Sequence, residues 1–371
     1  MDKICICGGG NLGQTLAGVL SSREDIELFV LTRKPEKWKS KIKVIYGNEK
    51  IIGKPEIITD KPSEVIPQSN IIIMTLPSYA KSSVLEKISP YTNKGTWIGS
   101  FPGTGGFEWI VKKFLGNNVT IFGLQRVPYI CRLKTYGKET FLLGKKKYLC
   151  AASLPKKNIK IITQKLEKLL EIPVKPLNNF LAVTLTPSNP ILHPSRLYGL
   201  FKDWKEKEYY QNEIFFYKEW DLLSSKVLIN CDNELQKLCL KIPLDLSGIL
   251  SLLDHYEVKN EEELTKKIST IESLKTIKAP MIKINDSYIP DFKSRYFTED
   301  IPYGLLIIRA IAELAEIETP SIDMVLSWAQ KHMKKQYLIN GKLIGKDLKE
   351  TAIPQQYGIN SLEELINLEN K

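Results

Sequence analysis

The sequence has little histidine and lacks the residue patterns typical of a metal site. Only three histidines occur in 371 residues, at positions 193, 255 and 332. The six cysteines contain no CxxC pair, and no histidine lies at a metal-ligand spacing from them. We therefore expect no bound metal, and we expect the cysteines to be reduced thiols with structural roles.

The sequence also lacks any apolar run near the roughly 20 residues needed to span a bilayer. The N-terminus, MDKICICGGG, has neither the basic-then-apolar order nor the small-residue cleavage site of a signal peptide. With 43% hydrophobic and 26% charged residues, the composition is that of a globular protein. These features predict a cytoplasmic protein with no membrane partner.

The formal charge of +11 does not come from a concentrated basic patch. Lysines are scattered, the densest run is GKKKYL at 144–149, and no helix combines basic residues with interleaved aromatics. We therefore expect no nucleic-acid partner, and a surface that favours anionic small molecules. A homodimer is compatible with the sequence, which does not determine the oligomeric state.

A glycine-rich motif opens the first half of the chain. Residues 3–7 (KICIC) predict a strand that leads directly into Gly8, Gly10 and Gly13 at G-x-G-x-x-G spacing, and residues 26–32 predict the next strand. Helical periodicity lies between them. This context indicates a Rossmann dinucleotide site, where glycines allow a tight turn, approach of a pyrophosphate and close helix packing. A chance glycine-rich turn is the alternative. The predicted cofactor-binding loop also includes Asn11 and Leu12.

The end of the second strand predicts which dinucleotide is bound. The strand ends at Thr32 and is followed by Arg33 and Lys34, whereas the acidic residues of this region, at 24–27, lie at its other end. An arginine here accommodates a 2′-phosphate, whereas an acidic residue holds a ribose hydroxyl. The sequence therefore favours NADP, with NAD as the alternative, although a positively charged surface turn would show the same pattern.

Two later strand–loop segments should border the nicotinamide, because the carboxyl ends of parallel strands face the cofactor. They are residues 70–78 (NIIIMTLPS) and 95–106 (GTWIGSFPGTGG). We assign Leu76 and Pro77 to the cofactor site and Thr104 to the substrate site.

A further strand, predicted at 119–124, precedes Arg126 and Arg132. Both are candidate clamps for an anionic substrate, and ordinary surface arginines are the alternative.

Helical periodicity dominates the second half, at 213–240, 261–276 and 303–315. The sequence thus predicts an α/β Rossmann domain with a doubly wound, mainly parallel sheet, followed by an all-α C-terminal domain. We place the NAD(P)-binding domain at 1–183 and the helical substrate and catalytic domain at 184–371.

His193 lies between prolines in the segment SNPILHPS. The prolines predict a stiff, extended segment that could present a catalytic base. A helix start is the alternative, since Asn189 can cap and Pro190 suits a first turn. The segment SRYFTEDIPYGL places Arg295 and Asp300 before another helix, where Asp300 is either a cap or a functional carboxylate.

The combination of motifs resembles the octopine/nopaline (opine) dehydrogenase family over nearly the whole chain. The matching segments are GGGNLG, VPYICR at 127–132, NPILHP at 189–194, RYFTEDIPYGL at 295–305, and TP at 319–320. Such enzymes condense an amino acid with a 2-keto acid and reduce the resulting imine with NAD(P)H. The resemblance also implies a second domain similar to 6-phosphogluconate dehydrogenase C-terminal-like domains.

The resemblance implies roles for individual residues. It makes His193 the catalytic acid/base, with Asp300 orienting the ring. It places Arg295 on the cofactor pyrophosphate and Asn189 near the substrate. Thr104 stands where relatives commonly carry Gln, and Gln125-Arg126 where they commonly carry Glu-Thr. Because both positions belong to the expected keto-acid pocket, the resemblance leaves the substrate pair open.

Two other functions compete with this interpretation. A simple 2-keto acid or 2-hydroxy acid reductase would use His193 and Asp300 similarly but would need no amine site. A non-catalytic dinucleotide sensor would keep the glycine loop but would have no use for these two groups.

Overall fold

The computed structural model describes residues 1–369, and the chain divides into two compact units. The first contains Met1–Thr184 together with residues 367–369, and the second contains Leu185–Ile366.

Residues 1–369 contain sixteen strands, numbered in chain order: β1 Asp2–Cys7, β2 Ile26–Leu31, β3 Ile42–Tyr46, β4 Glu49–Gly53, β5 Ile57–Thr59, β6 Ile71–Met74, β7 Trp97–Ser100, β8 Thr120–Leu124, β9 Tyr129–Thr135, β10 Glu139–Lys145, β11 Leu149–Leu154, β12 Val174–Pro176, β13 Met281–Ile284, β14 Ser287–Pro290, β15 Leu338–Ile339 and β16 Lys342–Leu343.

The same residues form fourteen α-helices: α1 Asn11–Leu20, α2 Pro62–Val65, α3 Ser78–Ile88, α4 Phe107–Leu115, α5 Ile159–Leu170, α6 Leu181–Thr184, α7 Asn189–Phe201, α8 Leu222–Lys241, α9 Leu252–Tyr256, α10 Glu261–Ser269, α11 Arg295–Thr298, α12 Leu306–Leu314, α13 Pro320–Met333 and α14 Leu362–Glu369. None of these helices is long and apolar enough to cross a membrane.

An eight-stranded sheet forms the centre of the first unit, in the order β12-β11-β8-β7-β6-β1-β2-β5. The six strands from β8 to β5 are mutually parallel, whereas β11 runs antiparallel to β8. The central strand β6 is buried throughout, as expected of a parallel strand covered on both faces. The predicted Rossmann fold with a mainly parallel, doubly wound sheet is confirmed.

A second sheet, in the order β4-β3-β10-β9, was not predicted. It packs on α1: Asn11 Oδ1 accepts a hydrogen bond from the Leu133 amide at 2.7 Å, and the Thr15 and Thr140 hydroxyls lie 2.9 Å apart. Its parallel pairing of β3 with β10 joins distant parts of the chain. Local sequence patterns therefore give no signal for it.

The second unit is mainly helical, which confirms the predicted helical domain. It is not all-α, because β13–β14 and β15–β16 form two short antiparallel hairpins. The helix predicted at 213–240 begins only at Leu222, where the Asp221 carboxylate caps it by accepting from the Ser224 amide at 2.7 Å. The helix predicted at 261–276 ends at Ser269. The one predicted at 303–315 begins as a π-helical turn, Ile301–Leu305.

The C-terminus differs from the predicted domain limits. We predicted that the second domain runs from 184 to 371, but the structure divides the chain after Thr184 and groups residues 367–369 with the first unit. The physical reason is the buried carboxylate of Glu369, which accepts a hydrogen bond from the Phe180 amide at 2.6 Å.

Candidate functional site

The glycine loop of the first unit has the shape that a dinucleotide needs. Gly8 has a φ of +124°, which side-chain-bearing residues rarely adopt, and a Cβ on Gly13 would lie 2.1 Å from the Gly8 carbonyl oxygen. A Cβ on Gly10 would meet no atom within 4 Å. Gly8 and Gly13 therefore maintain the turn, whereas Gly10 borders open space that a pyrophosphate can approach.

Helix α1 begins at this loop, with Gly10 at its N-cap position and no side-chain cap. The first-turn amides of Asn11, Leu12 and Gly13 have no acceptor within the helix, so they can bind an anion. The Asn11 side chain is engaged by the Leu133 amide. The backbone amide of Asn11, rather than its side chain, is therefore the group suited to a phosphate.

The end of β2 places the predicted cations on the surface. Thr32 is buried, and its hydroxyl lies 3.1 Å from the Tyr136 hydroxyl. Arg33 and Lys34 follow it and are both exposed. Beside the loop, Leu76 would contact a Cβ on Gly8 at 3.1 Å, and Pro77 precedes α3. These five predicted cofactor residues thus surround the glycine turn or follow its neighbouring strand.

Lys81 is a functional candidate that the sequence analysis missed. Its side chain is buried, and its ammonium donates to the carbonyl oxygens of Pro102 at 3.2 Å and Thr104 at 2.7 Å. It thereby fixes the loop after β7, which was predicted to border the nicotinamide and to place Thr104 in the substrate site. A signal did exist: Lys81 occupies an apolar-face position in the buried helical series 78, 81, 85, 88 of α3.

The two candidate clamps, Arg126 and Arg132, lie in different settings. Arg126 is half-buried in the loop between β8 and β9. Burial lowers the pKa of Lys146, and the charge of Arg126 lowers it further. Arg132 is exposed on β9 of the second sheet.

In the second unit, His193 lies inside helix α7, so the predicted extended segment is wrong and the alternative of a helix start is correct. The reason is that Pro190 falls in the first turn, where its missing amide hydrogen costs nothing. The expectation that Asn189 caps the helix is wrong, because Asn189 is the first helical residue, exposed to solvent, and Ser188 occupies the cap position.

Both ring nitrogens of His193 have hydrogen-bond partners. Nδ1 lies 2.8 Å from Asp300 Oδ2, and Nε2 lies 2.9 Å from the Tyr217 hydroxyl. Because a carboxylate only accepts, Nδ1 carries a hydrogen, and in the neutral ring Nε2 accepts from Tyr217. Burial raises the pKa of Asp300, and the adjacent His193 acts in the opposite direction. The carboxylate can therefore orient the ring and stabilise its cationic form.

Aromatic rings enclose this pair, and none of them was predicted. The ring centroids of Tyr296 and Phe216 lie 4.5 Å and 5.5 Å from that of His193, both edge to face. Burial raises the pKa of Tyr217, so its hydroxyl stays protonated. Tyr217 lies in the aromatic run FFYKEW, whose spacing gives no sign of contact with His193.

A close approach between two elements brings the pair together. A Cβ on Gly304 would lie 2.8 Å from Pro190 Cβ, so the π-helical turn packs directly on the start of α7. Asp300 immediately precedes that turn, and its backbone carbonyl accepts from the Leu305 amide at 2.9 Å. Gly304 and Pro190 were part of the matched motifs, but their contact could not be read from the sequence.

Arg295 opens α11 and is exposed, with its Nε donating to Glu299 Oε2 at 2.8 Å. Of the other histidines, His332 stacks on Phe292 with ring centroids 4.6 Å apart, and burial lowers its pKa. Within residues 1–369, no group of three or more His, Cys, Asp or Glu side chains could hold a metal ion.

Two family models match the chain. Residues 176–333 match the one described as NAD/NADP octopine/nopaline dehydrogenase, alpha-helical domain. Residues 4–128 match the one described as ketopantoate reductase PanE/ApbA.

Characterised proteins match the chain over its full length. Tauropine dehydrogenase of Arabella iricolor is 31% identical, with 99% of this chain and 100% of its own length covered. Octopine dehydrogenase of Pecten maximus is 30% identical, with 98% of both chains covered. The chain belongs to the opine dehydrogenase family.

Structural similarity agrees with this assignment. A solved structure of octopine dehydrogenase with NADH and L-arginine has a TM-score of 0.89 at 29% identity and covers 98% of both chains. This opine dehydrogenase is therefore an oxidoreductase that uses a nicotinamide dinucleotide, and the resemblance inferred from its motifs is confirmed. The open space at Gly10 and the start of α1 fit such a cofactor.

Proposed function

We propose that the protein joins the amine of an amino acid to a 2-keto acid and reduces the resulting imine, giving an N-(carboxyalkyl) amino acid. The observation that carries this proposal is the hydrogen bond between buried His193 and partly buried Asp300, at 2.8 Å, in a chain of this family. Bound in the first unit, the nicotinamide dinucleotide supplies the hydride.

His193 is the proton donor and acceptor. With Nδ1 bonded to Asp300, the ring exchanges its catalytic proton at Nε2, the nitrogen that now faces Tyr217. Condensation releases water from a carbinolamine, and a protonated imidazole can donate to the departing oxygen. Asp300 stabilises that cation without leaving its hydrogen bond, as a buried carboxylate does in other acid–base pairs.

We propose NADP as the preferred cofactor. Arg33 and Lys34 are exposed directly after β2, where the 2′-phosphate of an adenosine would lie. The first unit, 1–184 with the C-terminal residues, would be the dinucleotide domain, and the second would carry substrate and catalytic groups. Six free cysteines favour a reducing compartment such as the cytoplasm.

The remaining predicted contacts are proposals of the same kind. The exposed guanidinium of Arg295 suits the cofactor pyrophosphate, because a charged planar fork matches phosphate oxygens. Arg126 and Arg132 would bind substrate carboxylates, and Thr104 and Asn189 would line the substrate site.

Amine dependence tests the proposed reaction. If condensation precedes reduction, NADPH with a panel of 2-keto acids alone should be nearly silent, and the correct amino acid should start NADPH oxidation. Initial rates should rise with pH as the amine becomes neutral and then fall as His193 loses its proton. Mass spectrometry should find one product containing both carbon skeletons. Rapid oxidation with a keto acid alone, giving a 2-hydroxy acid and indifferent to every amine, would instead establish a simple keto-acid reductase.

A further inference from the structure

Arg196 is a fully buried cation that the reaction described above does not use. Its Nε donates to the Phe216 carbonyl at 2.8 Å, and its Nη2 donates to the Glu219 carbonyl at 2.5 Å. Its Nη1 donates to Asp221 Oδ2 at 2.5 Å and to the Ser224 hydroxyl at 3.2 Å. Every edge of the guanidinium is thus bonded to the segment from Phe216 to the start of α8.

That segment carries Phe216 and Tyr217, two of the aromatic side chains around His193. Residues 216–221 form turns and irregular backbone rather than a helix or strand, so some of their carbonyls need hydrogen-bond donors from outside the segment. Arg196 supplies two of them and also lies over the Trp220 ring, 5.5 Å from its centroid. The ring of Trp220 in turn stacks on that of Tyr217 at an interplanar angle of 13°.

Arg196 follows His193 by about one turn of the same helix. Helix α7 therefore presents the acid/base residue and, beside it, the cation that fixes the backbone on both sides of Tyr217. We propose that Arg196 is a positioning residue that holds the Tyr217 hydroxyl on His193 Nε2 and thereby sets the pH range in which His193 works. This inference rests on the proposed acid–base role of His193.

The burial of Arg196 supports a role in placing the backbone. Burial lowers the pKa of Arg196, and the carboxylate of Asp221 acts in the opposite direction. The ion pair with Asp221 therefore offsets only part of the free energy that desolvation of the guanidinium costs. An apolar residue of similar size would avoid the desolvation penalty. It could not, however, bond two carbonyls at a fixed angle, which is the property of a guanidinium fork.

The hydroxyl affects the two protonation states of His193 unequally. A hydrogen bond to a charged donor is worth roughly twice a neutral one, so losing Tyr217 as a partner destabilises the imidazolium more than the neutral ring. The titratable and charged groups around His193 and its hydrogen-bond partners are Asp300, Tyr217, Tyr296, Tyr256, Glu299, Arg295 and Arg196 itself.

The test compares the full-length wild-type enzyme with R196K, Y217F, the R196K/Y217F double variant and R309K. Lysine keeps the charge but cannot bond both carbonyls. R309K is the matched control, because Arg309 is also buried in the second unit and bonds Asp323 at 2.6 Å and the Gly341 carbonyl at 2.8 Å. The readout is kcat/KM for the 2-keto acid against pH, with NADPH saturating, because this ratio reports the ionisation of His193 before the keto acid binds, when Tyr217 is its partner.

We expect R196K and Y217F each to move the basic limb of the profile to lower pH, by about one unit, and to leave the KM for NADPH unchanged. The double variant should move no further than Y217F, because Arg196 acts through Tyr217. R309K should lower thermal stability without moving the limb. If R196K fails to fold, D221N is the substitute, because it weakens the ion pair that helps to hold Arg196. It should move the basic limb of the pH profile in the same direction by less.

Three outcomes would overturn the inference. The basic limb of the pH profile could stay at the wild-type pH in folded R196K, it could stay there in Y217F, or the pH shifts of the two single variants could add in the double variant. H193A separates this failure from that of the proposed function. An H193A enzyme with normal turnover would refute the acid–base role itself. An inactive H193A beside an unmoved R196K profile would refute the role of Arg196 alone.

Discussion

The glycine loop and the His193–Asp300 pair differ in how far apart along the chain their parts lie. The loop is complete within residues 8–13, and its shape follows from a positive φ at Gly8 and the contact of Gly13 with the Gly8 carbonyl. The pair joins residues with a sequence separation of 107. It forms where the π-helical turn packs on Pro190, a close approach that Gly304 permits because it has no Cβ. Local backbone rules can therefore predict the first site, whereas the second depends on packing.

Each of the two units contains a buried cation that stabilises irregular backbone. Lys81 bonds the carbonyls of Pro102 and Thr104, and Arg196 bonds those of Phe216 and Glu219. In each case a charged side chain occupies a helix position that would ordinarily be apolar. Loops that carry function lack the hydrogen bonds of helices and sheets, so a multidentate donor replaces them.

The largest expected effect is at the long-range pair. H193A and D300N should each lower kcat by about 10² to 10⁴-fold, the range for general acid–base catalysis. The double variant should be little worse than H193A, because the two groups act as a unit. Steady-state kinetics with far-ultraviolet circular dichroism as a folding control would measure this. Losses that multiply would show that the pair does not act together.

The first unit also depends on a contact between residues far apart in the chain, the hydrogen bond from the Phe180 amide to the Glu369 carboxylate. Burial raises the pKa of Glu369 to about 7 from an ordinary value of 4.5. For an acid whose pKa is raised by folding, stability is fully present below the unfolded pKa and lost as pH rises through the folded one. The free energy of unfolding of the wild type, relative to E369Q, should therefore fall by about 3 kcal/mol between pH 4.5 and pH 8.

Urea denaturation at several pH values would test this, with E363Q as the control on the exposed face of the same helix. A wild-type-minus-E369Q difference that does not change with pH, or one matched by E363Q, would contradict the burial of a neutralised Glu369.

The next effect concerns the cofactor. R33A should lower kcat/KM for NADPH by about ten- to hundredfold and change that for NADH little, because one charge-assisted contact is worth about 1.5 to 3 kcal/mol. R23A is a control, since Arg23 pairs with Asp25 at the opposite end of the strand. Equal losses for both cofactors in R33A would exclude contact with a 2′-phosphate.

The smallest expected effects are those of alanine substitutions at Gly13 and Gly10, which should alter stability and cofactor binding respectively. G13A should destabilise the fold by about 1 to 3 kcal/mol, because the new methyl group would overlap the Gly8 carbonyl. G10A should leave the melting temperature unchanged, because its methyl group enters open space, and should weaken NADPH binding by about tenfold or more. Thermal melts and fluorescence titration with NADPH distinguish them, and a destabilised G10A that still binds normally would reverse the assignment.

The sequence predicted the parts of the molecule that depend on near neighbours. Residues 3–7 and 26–32 correspond to β1 and β2, and the glycines between them lie where the strand–loop–helix pattern placed them. The family and its reaction followed from motifs that were each short and continuous.

Tertiary structure decided the rest. The sheet of β4, β3, β10 and β9 needs pairing between distant segments, and the irregular backbone at 213–221 replaces a predicted helix because Arg196 and the Asp221 cap hold it. His193 was found by its motif, but its partner at Nε2 was not, because nothing local to FFYKEW points to it. A backbone turn is fixed by torsion angles within a few residues, whereas a buried hydrogen bond is fixed by whichever elements the packed core brings together.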